Sequence, residues 1–177
     1  MKLAFLLVIP VFLCAVVVAQ APGPPEKNSP GRDAVKSAAS PAVLEREFFA
    51  VIRDGDALKF LSYVPEDGVN LGRYAEHSTR SEIEDQLTHR TGLYCKLFDS
   101  ACIQAEGKKD ADARPCSYRE LLTQSQKVRT ASTETTRNNV RQAILAAEVH
   151  NQKCAGPGLI DFIFNYQQGD WKLFSIP

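Results

Sequence analysis

The chain has 177 residues, with 21 basic and 21 acidic side chains and five cysteines. Zero net charge, with no polybasic run, argues against a nucleic-acid or anionic-lipid partner. The length fits one domain.

The N-terminus reads first as a targeting signal. Lys2 precedes an apolar run from Leu3 to Ala19. A run that long can cross a bilayer. Its terminal position, the internal Pro10, the small residue at its end and the loose tail behind it mark a cleaved secretion signal instead. Cleavage is expected after Ala19. Cleavage after Ala21 also satisfies the small-residue rule but sets Pro22 beside the cut. Cys14, preceded by Leu13 and followed by more apolar sequence, does not suit a lipid-anchored start and belongs to the discarded signal. Removing residues 1–19 takes away Lys2, one of the 21 basic residues, and none of the 21 acidic ones, for a mature net charge of −1. The mature chain is then expected to be secreted or periplasmic, with no membrane span.

Residues 20–40 are rich in proline, glycine, alanine and serine, and read as a flexible leader, because they cannot bury enough apolar surface to order themselves. The domain is expected over 41–177. Ser40 and Pro41 suit an N-cap and a first helical position. Val43, Leu44, Phe48, Val51 and Ile52 follow at helical spacing, and Asp54-Gly55-Asp56 breaks that helix. A short helix over "ALKFLSYV" and a short strand in "DGVNLGRY" come next, then a loop holding Tyr74 and His77. Ser81 and Glu84 have capping-box spacing and predict the next helix start. Gly92 ends or weakens that helix, and "LYCKLFD" fits a helix or a strand.

Gln104 to Pro115 is polar and aperiodic, so a loop is expected. "CSYRELLTQS" gives one or two helical turns. "KVRTASTETTR" and "VRQAILAAEVH" read as strands joined by a turn at Asn138-Asn139, since asparagine tolerates positive φ. After the turn "KCAGPG", "LIDFIFNYQ" and "DWKLFSIP" close the chain as a hairpin. Helices followed by strands point to α+β, with helices on one face of an antiparallel sheet. On the final strand, alternation sends Trp171, Leu173 and Ser175 one way and Lys172, Phe174 and Ile176 the other. Trp171 is expected to bury a large area and fix the hairpin register.

Cys95, Cys102, Cys116 and Cys154 remain after signal removal, an even number that reads as two disulfides in an exported chain. In a continuous helix Cys95 and Cys102 lie about 10 Å apart by rise alone, too far to bond. Cys102–Cys116 with Cys95–Cys154 is then the expected pairing. A helix break at Gly92 or Asp99 admits Cys95–Cys102 with Cys116–Cys154.

Two stretches carry a family likeness. Arg53-Asp54-Gly55-Asp56 between two helices, and Gly169-Asp170-Trp171-Lys172-Leu173 in the last strand, resemble the nuclear transport factor two-like superfamily over residues 41–177. The resemblance implies a cystatin-like α+β cone, shared by polyketide cyclase-like, ketosteroid isomerase-like and scytalone dehydratase-like groups. It also implies a last strand paired on both sides. The insert with Cys95, Cys102 and Cys116 departs from the pattern. The fold hosts many unrelated functions, so no catalytic set transfers.

Asp161 is the candidate acid or base, because a carboxylate among apolar neighbours suits proton transfer. Tyr74 or His77 is the candidate hydrogen-bond donor beside it. Tyr166, Trp171 and Arg141 are the binding candidates. Metal-ligand spacing, a serine-nucleophile motif and a phosphate loop are all missing from the sequence, so no metal and no cofactor are expected. The expected function is a secreted envelope or periplasmic domain that binds a small apolar ligand or an envelope protein without catalysis. The alternative is a cofactor-free isomerase, dehydratase or hydrolase, which needs Asp161 and a Tyr or His donor in one enclosed apolar cavity. The open sheet face is a further candidate, for contact with a second copy.

Overall fold

The computed structural model describes residues 39–72, 76–106, 114–155 and 158–177. The expected signal and all but the end of the expected leader lie outside these residues, as does Tyr74. Among the described residues no helix is long and apolar enough to cross a membrane.

The helical half forms much as its periodicity predicts. Helix α1 (Pro41–Asp54) has proline at its first position and ends on Gly55 at φ 74, a left-handed cap that glycine adopts without a Cβ penalty. Asp56 accepts the Lys59 amide and starts α2 (Ala57–Tyr63). The capping box of α3 (Arg80–His89) sits two residues earlier than expected. Thr79 caps the Glu82 amide and Glu82 caps Thr79 in return, so Ser81 lies inside the helix. Both threonine and serine precede a glutamate by three, and spacing alone does not choose between them.

Arg90, at φ 56, ends α3, and "LYCKLFD" resolves into a helix, α4 (Leu93–Phe98). Asp99, extended at φ −133, breaks the chain before α5 (Ser100–Glu106). That break overturns the expected cysteine pairing. It brings the Cys95 and Cys102 Cα atoms to 5.2 Å, and Cys116 bonds Cys154 at 5.5 Å. Helix α5 also runs into the stretch expected to be loop. Helix α6 (Tyr118–Gln124) completes the set, capped by Ser117.

Strands β1 (Val69–Leu71), β2 (Glu76–Ser78), β4 (Lys127–Arg137), β5 (Val140–His150), β7 (Leu159–Gln167) and β8 (Asp170–Ile176) form one sheet, in the order β2-β1-β8-β7-β5-β4. All pairs are antiparallel except β1 with β8. Two further residues each, β3 (Arg114–Pro115) and β6 (Cys154–Ala155), make a small parallel pair beside the Cys116–Cys154 bond. The fold is therefore α+β, and β8 is paired on both sides, as expected. His77 lies on the edge strand β2 rather than in a loop.

Asn138 (φ 51) and Asn139 (φ 63) turn β4 into β5, and Gln168 (φ 51) with Gly169 (φ 89) turn β7 into β8. Two successive positive φ values match the right-handed twist of the flanking strands. A bulge at Phe174 shifts the β7–β8 register, pairing Ile163 with Ser175 but Phe164 with Leu173. One extra residue reverses the alternation beyond it. Ile176 thus joins Trp171 and Leu173 on the buried face, correcting the facing expected for Ser175 and Ile176.

The helices cover the face that carries Ala143, Leu145, Ala147, Ile160, Phe162, Phe164 and Leu173, all fully buried. Phe48 of α1 is the hub. Its ring centroid lies 4.8 Å from Phe162, 4.9 Å from Phe164, 5.3 Å from Tyr63 and 5.9 Å from Phe60, in tilted or edge-on contacts that suit ring quadrupoles. Around Phe48 the space between helices and sheet is taken up by rings.

Candidate functional site

The binding candidates Arg141, Tyr166 and Trp171 meet at the hairpin end of the sheet. Tyr166 pairs with Trp171 across β7 and β8, with ring centroids 5.1 Å apart. The Arg141 guanidinium lies 4.6 Å from the Tyr166 ring and 5.4 Å from the Trp171 ring. Glu134 accepts from its Nε at 2.8 Å. Trp171 is buried, and its indole N–H donates to the Ala39 carbonyl at 2.7 Å. The cluster therefore fastens the segment before α1 to the sheet. Its indole N–H and the Arg141 Nε are spent internally.

The two catalytic candidates within the described residues, Asp161 and His77, do not meet. The row Ile163, Ser175, Asn70, His77 crosses β7, β8, β1 and β2. Three strand spacings put His77 roughly 14 Å from Ile163, out of reach of Asp161 on the same strand. The His77 ring also contacts the Asp67 carbonyl at 2.6 Å.

Asp161 instead borders a cleft of about 630 Å³ where β8 ends. Leu159, Asp161 and Ile163 of β7 form one side, and Ile176, Pro177 and Gly72 another; Lys96 of α4 and Tyr118 of α6 close it from the helical layer. Lys96 Nζ donates to the Pro177 carbonyl oxygen, and the Tyr118 hydroxyl donates to the same oxygen at 3.0 Å. The ammonium also sits 5.7 Å from the Tyr118 ring centroid. Burial raises the Tyr118 pKa far above the usual phenol value, and the Asp161 charge adds to the rise. The phenol stays protonated and remains a donor. Tyr118 and Lys96 were not singled out from the sequence. Each lies in a short amphipathic helix, where a core tyrosine and a surface lysine carry no distinguishing pattern.

Asp161 is exposed, and its cross-strand neighbour on β5 is Ala146. Arg141 pairs with Glu134, Lys172 with Asp170 and Arg129 with Glu148. Among the described residues no cation lies within ion-pair distance of Asp161.

A second polar cluster is structural. Glu120 accepts from both terminal nitrogens of the Arg114 guanidinium, which holds its carboxyl below the usual range. Cys116, Glu120 and Cys154 come within 4.8 Å of one another. Their sulfurs share a disulfide and the carboxylate is engaged by arginine, so none is available to a metal as the structure stands.

No family model matches the chain, and no curated protein matches it. Among solved structures it is similar to a designed nuclear transport factor two-like protein, at 12% identity and a TM-score of 0.40, covering 75% of this chain and 90% of that one.

Proposed function

We propose that this is an extracytoplasmic binding domain, resembling the nuclear transport factor two-like superfamily, that takes a small ligand without transforming it. The observation that carries the reading is the cleft at the end of β8. Its size falls in the range of ligand pockets, and its walls are mostly apolar, with a few placed polar groups. Two disulfides in a chain with a signal-like start support action outside the reducing cytosol. Binding is preferred to catalysis for two reasons. Asp161 lies at an open cleft rather than in an enclosed cavity, and the space between helices and sheet is occupied by the Phe48 cluster.

The test uses the neutral fluorescent probe N-phenyl-1-naphthylamine with the oxidised protein, read alongside methyl NMR. Saturable binding should shift the Ile163 and Ile176 methyls, and Ile163→Glu should weaken it at least tenfold with the fold retained. Saturable binding that moves other methyls instead, or no saturable binding at all, would refute the reading.

A further inference from the structure

The charge balance of the cleft narrows its ligand. Two charged side chains border it, Lys96 and Asp161. Lys96 is held in place: its ammonium donates to the Pro177 oxygen and lies 5.7 Å from the Tyr118 ring centroid. Among the described residues no cation pairs with Asp161. Its neighbours on its own face are Leu159 and Ile163 along β7 and Ala146 across on β5. The next residue in that row, on β4, is Ala131. Three cations on the sheet have acid partners: Arg129 with Glu148, Arg141 with Glu134 and Lys172 with Asp170. A ligand cation placed beside the Asp161 carboxylate, on its apolar wall, would be attracted to that charge. The same wall offers an apolar molecule area to cover.

We propose that the cleft binds a small organic cation, an amine with an apolar body, whose ammonium pairs with Asp161 while its body lies against Ile163 and Tyr118. A carboxylate ligand would meet the Asp161 charge, and among the described residues the one cation bordering the cleft is Lys96, held by the Pro177 oxygen and the Tyr118 ring. A neutral ligand would leave Asp161 unpaired. This inference rests on the binding reading above but can fail separately from it.

Benzylamine, benzyl alcohol and benzoate share one body and differ in charge. Their affinities are to be compared by ligand-observed and methyl NMR at neutral pH and low salt, for the wild type, Asp161→Asn and Lys96→Met. Benzylamine is expected to bind about tenfold more tightly than benzyl alcohol, the factor given by about 1.4 kcal/mol. Asp161→Asn should erase that preference and leave benzyl alcohol binding unchanged. Added salt should weaken the amine alone. Equal binding of amine and alcohol, or a preference for benzoate that Lys96→Met removes, would overturn the proposal while leaving the cleft a binding site. A preference that survives Asp161→Asn would overturn it too, by placing the cation elsewhere. Binding of none of the three at 10 mM would overturn it as well, and the neutral probe then shows whether the cleft binds at all.

Discussion

Phe48→Ala tests whether the space between helices and sheet is filled. The Phe48 side chain is wholly buried and touches the rings of Phe49, Phe60, Tyr63, Phe162 and Phe164. Replacing a buried phenylalanine by alanine costs about 3–5 kcal/mol through lost transfer energy and the cavity left behind. Close ring pairs add about 1 kcal/mol each. These contributions overlap rather than sum, because one truncation removes them together. Neighbours held on three elements (α2, β7 and α1 itself) leave little room for collapse, so the upper end applies, about 5 kcal/mol. For a domain of this length that lowers the melting temperature by about 15 °C. Guanidinium unfolding of the oxidised protein, read by circular dichroism, measures the loss directly. Leu58→Ala, at a site 83% exposed, is the control and should change stability by less than about 0.5 kcal/mol. A Phe48→Ala loss below about 2 kcal/mol would show that the rings border a void. The interior would then be the place to seek a ligand, and the preference for the cleft at the end of β8 would fall.

Three further outcomes follow from the fold. Cys116–Cys154 closes a separation of 38 residues and Cys95–Cys102 one of 7, so loop entropy predicts losses of about 4 and about 2 kcal/mol when each pair is changed to serine; the reverse order by calorimetry would refute the entropic account. Glu120 has its pKa lowered by the Arg114 guanidinium, so its contribution is present above the ordinary carboxylate range and is lost as pH falls through the lowered value. Melting temperature against pH should show that acid-side loss reduced in Glu120→Gln, and identical slopes would contradict it. Deleting 170–177 removes β8, which lies between β1 and β7, and should abolish cooperative unfolding; a soluble, cooperatively melting truncation would overturn the topology.

Much of the fold was legible in the residues because it rests on local periodicity. The helical spacing of Leu44, Phe48 and Ile52 marked the buried face of α1, and β5 and β7 bury alternate residues over most of their length, as their period-2 patterns require. The turns at Asn138-Asn139 and at Gly169 followed from which residues tolerate positive φ. Other features depended on contacts distant in sequence. The bulge at Phe174 arises from fitting β8 between β1 and β7, so strict alternation misplaced Ile176. The extended Asp99 selected one of two cysteine pairings that the sequence left open. Asp161 was visible as an acid in an apolar strand, but its surroundings were not. Only the folded chain carries Lys96 and Tyr118 to the end of β8, where Lys96 is held by the Pro177 oxygen and no cation among the described residues pairs with Asp161. The sequence by itself determined the long strands and most of the helices, because those patterns are written within a few neighbours. The site was decided by tertiary structure, because a cleft is a relation between elements and no single element encodes it.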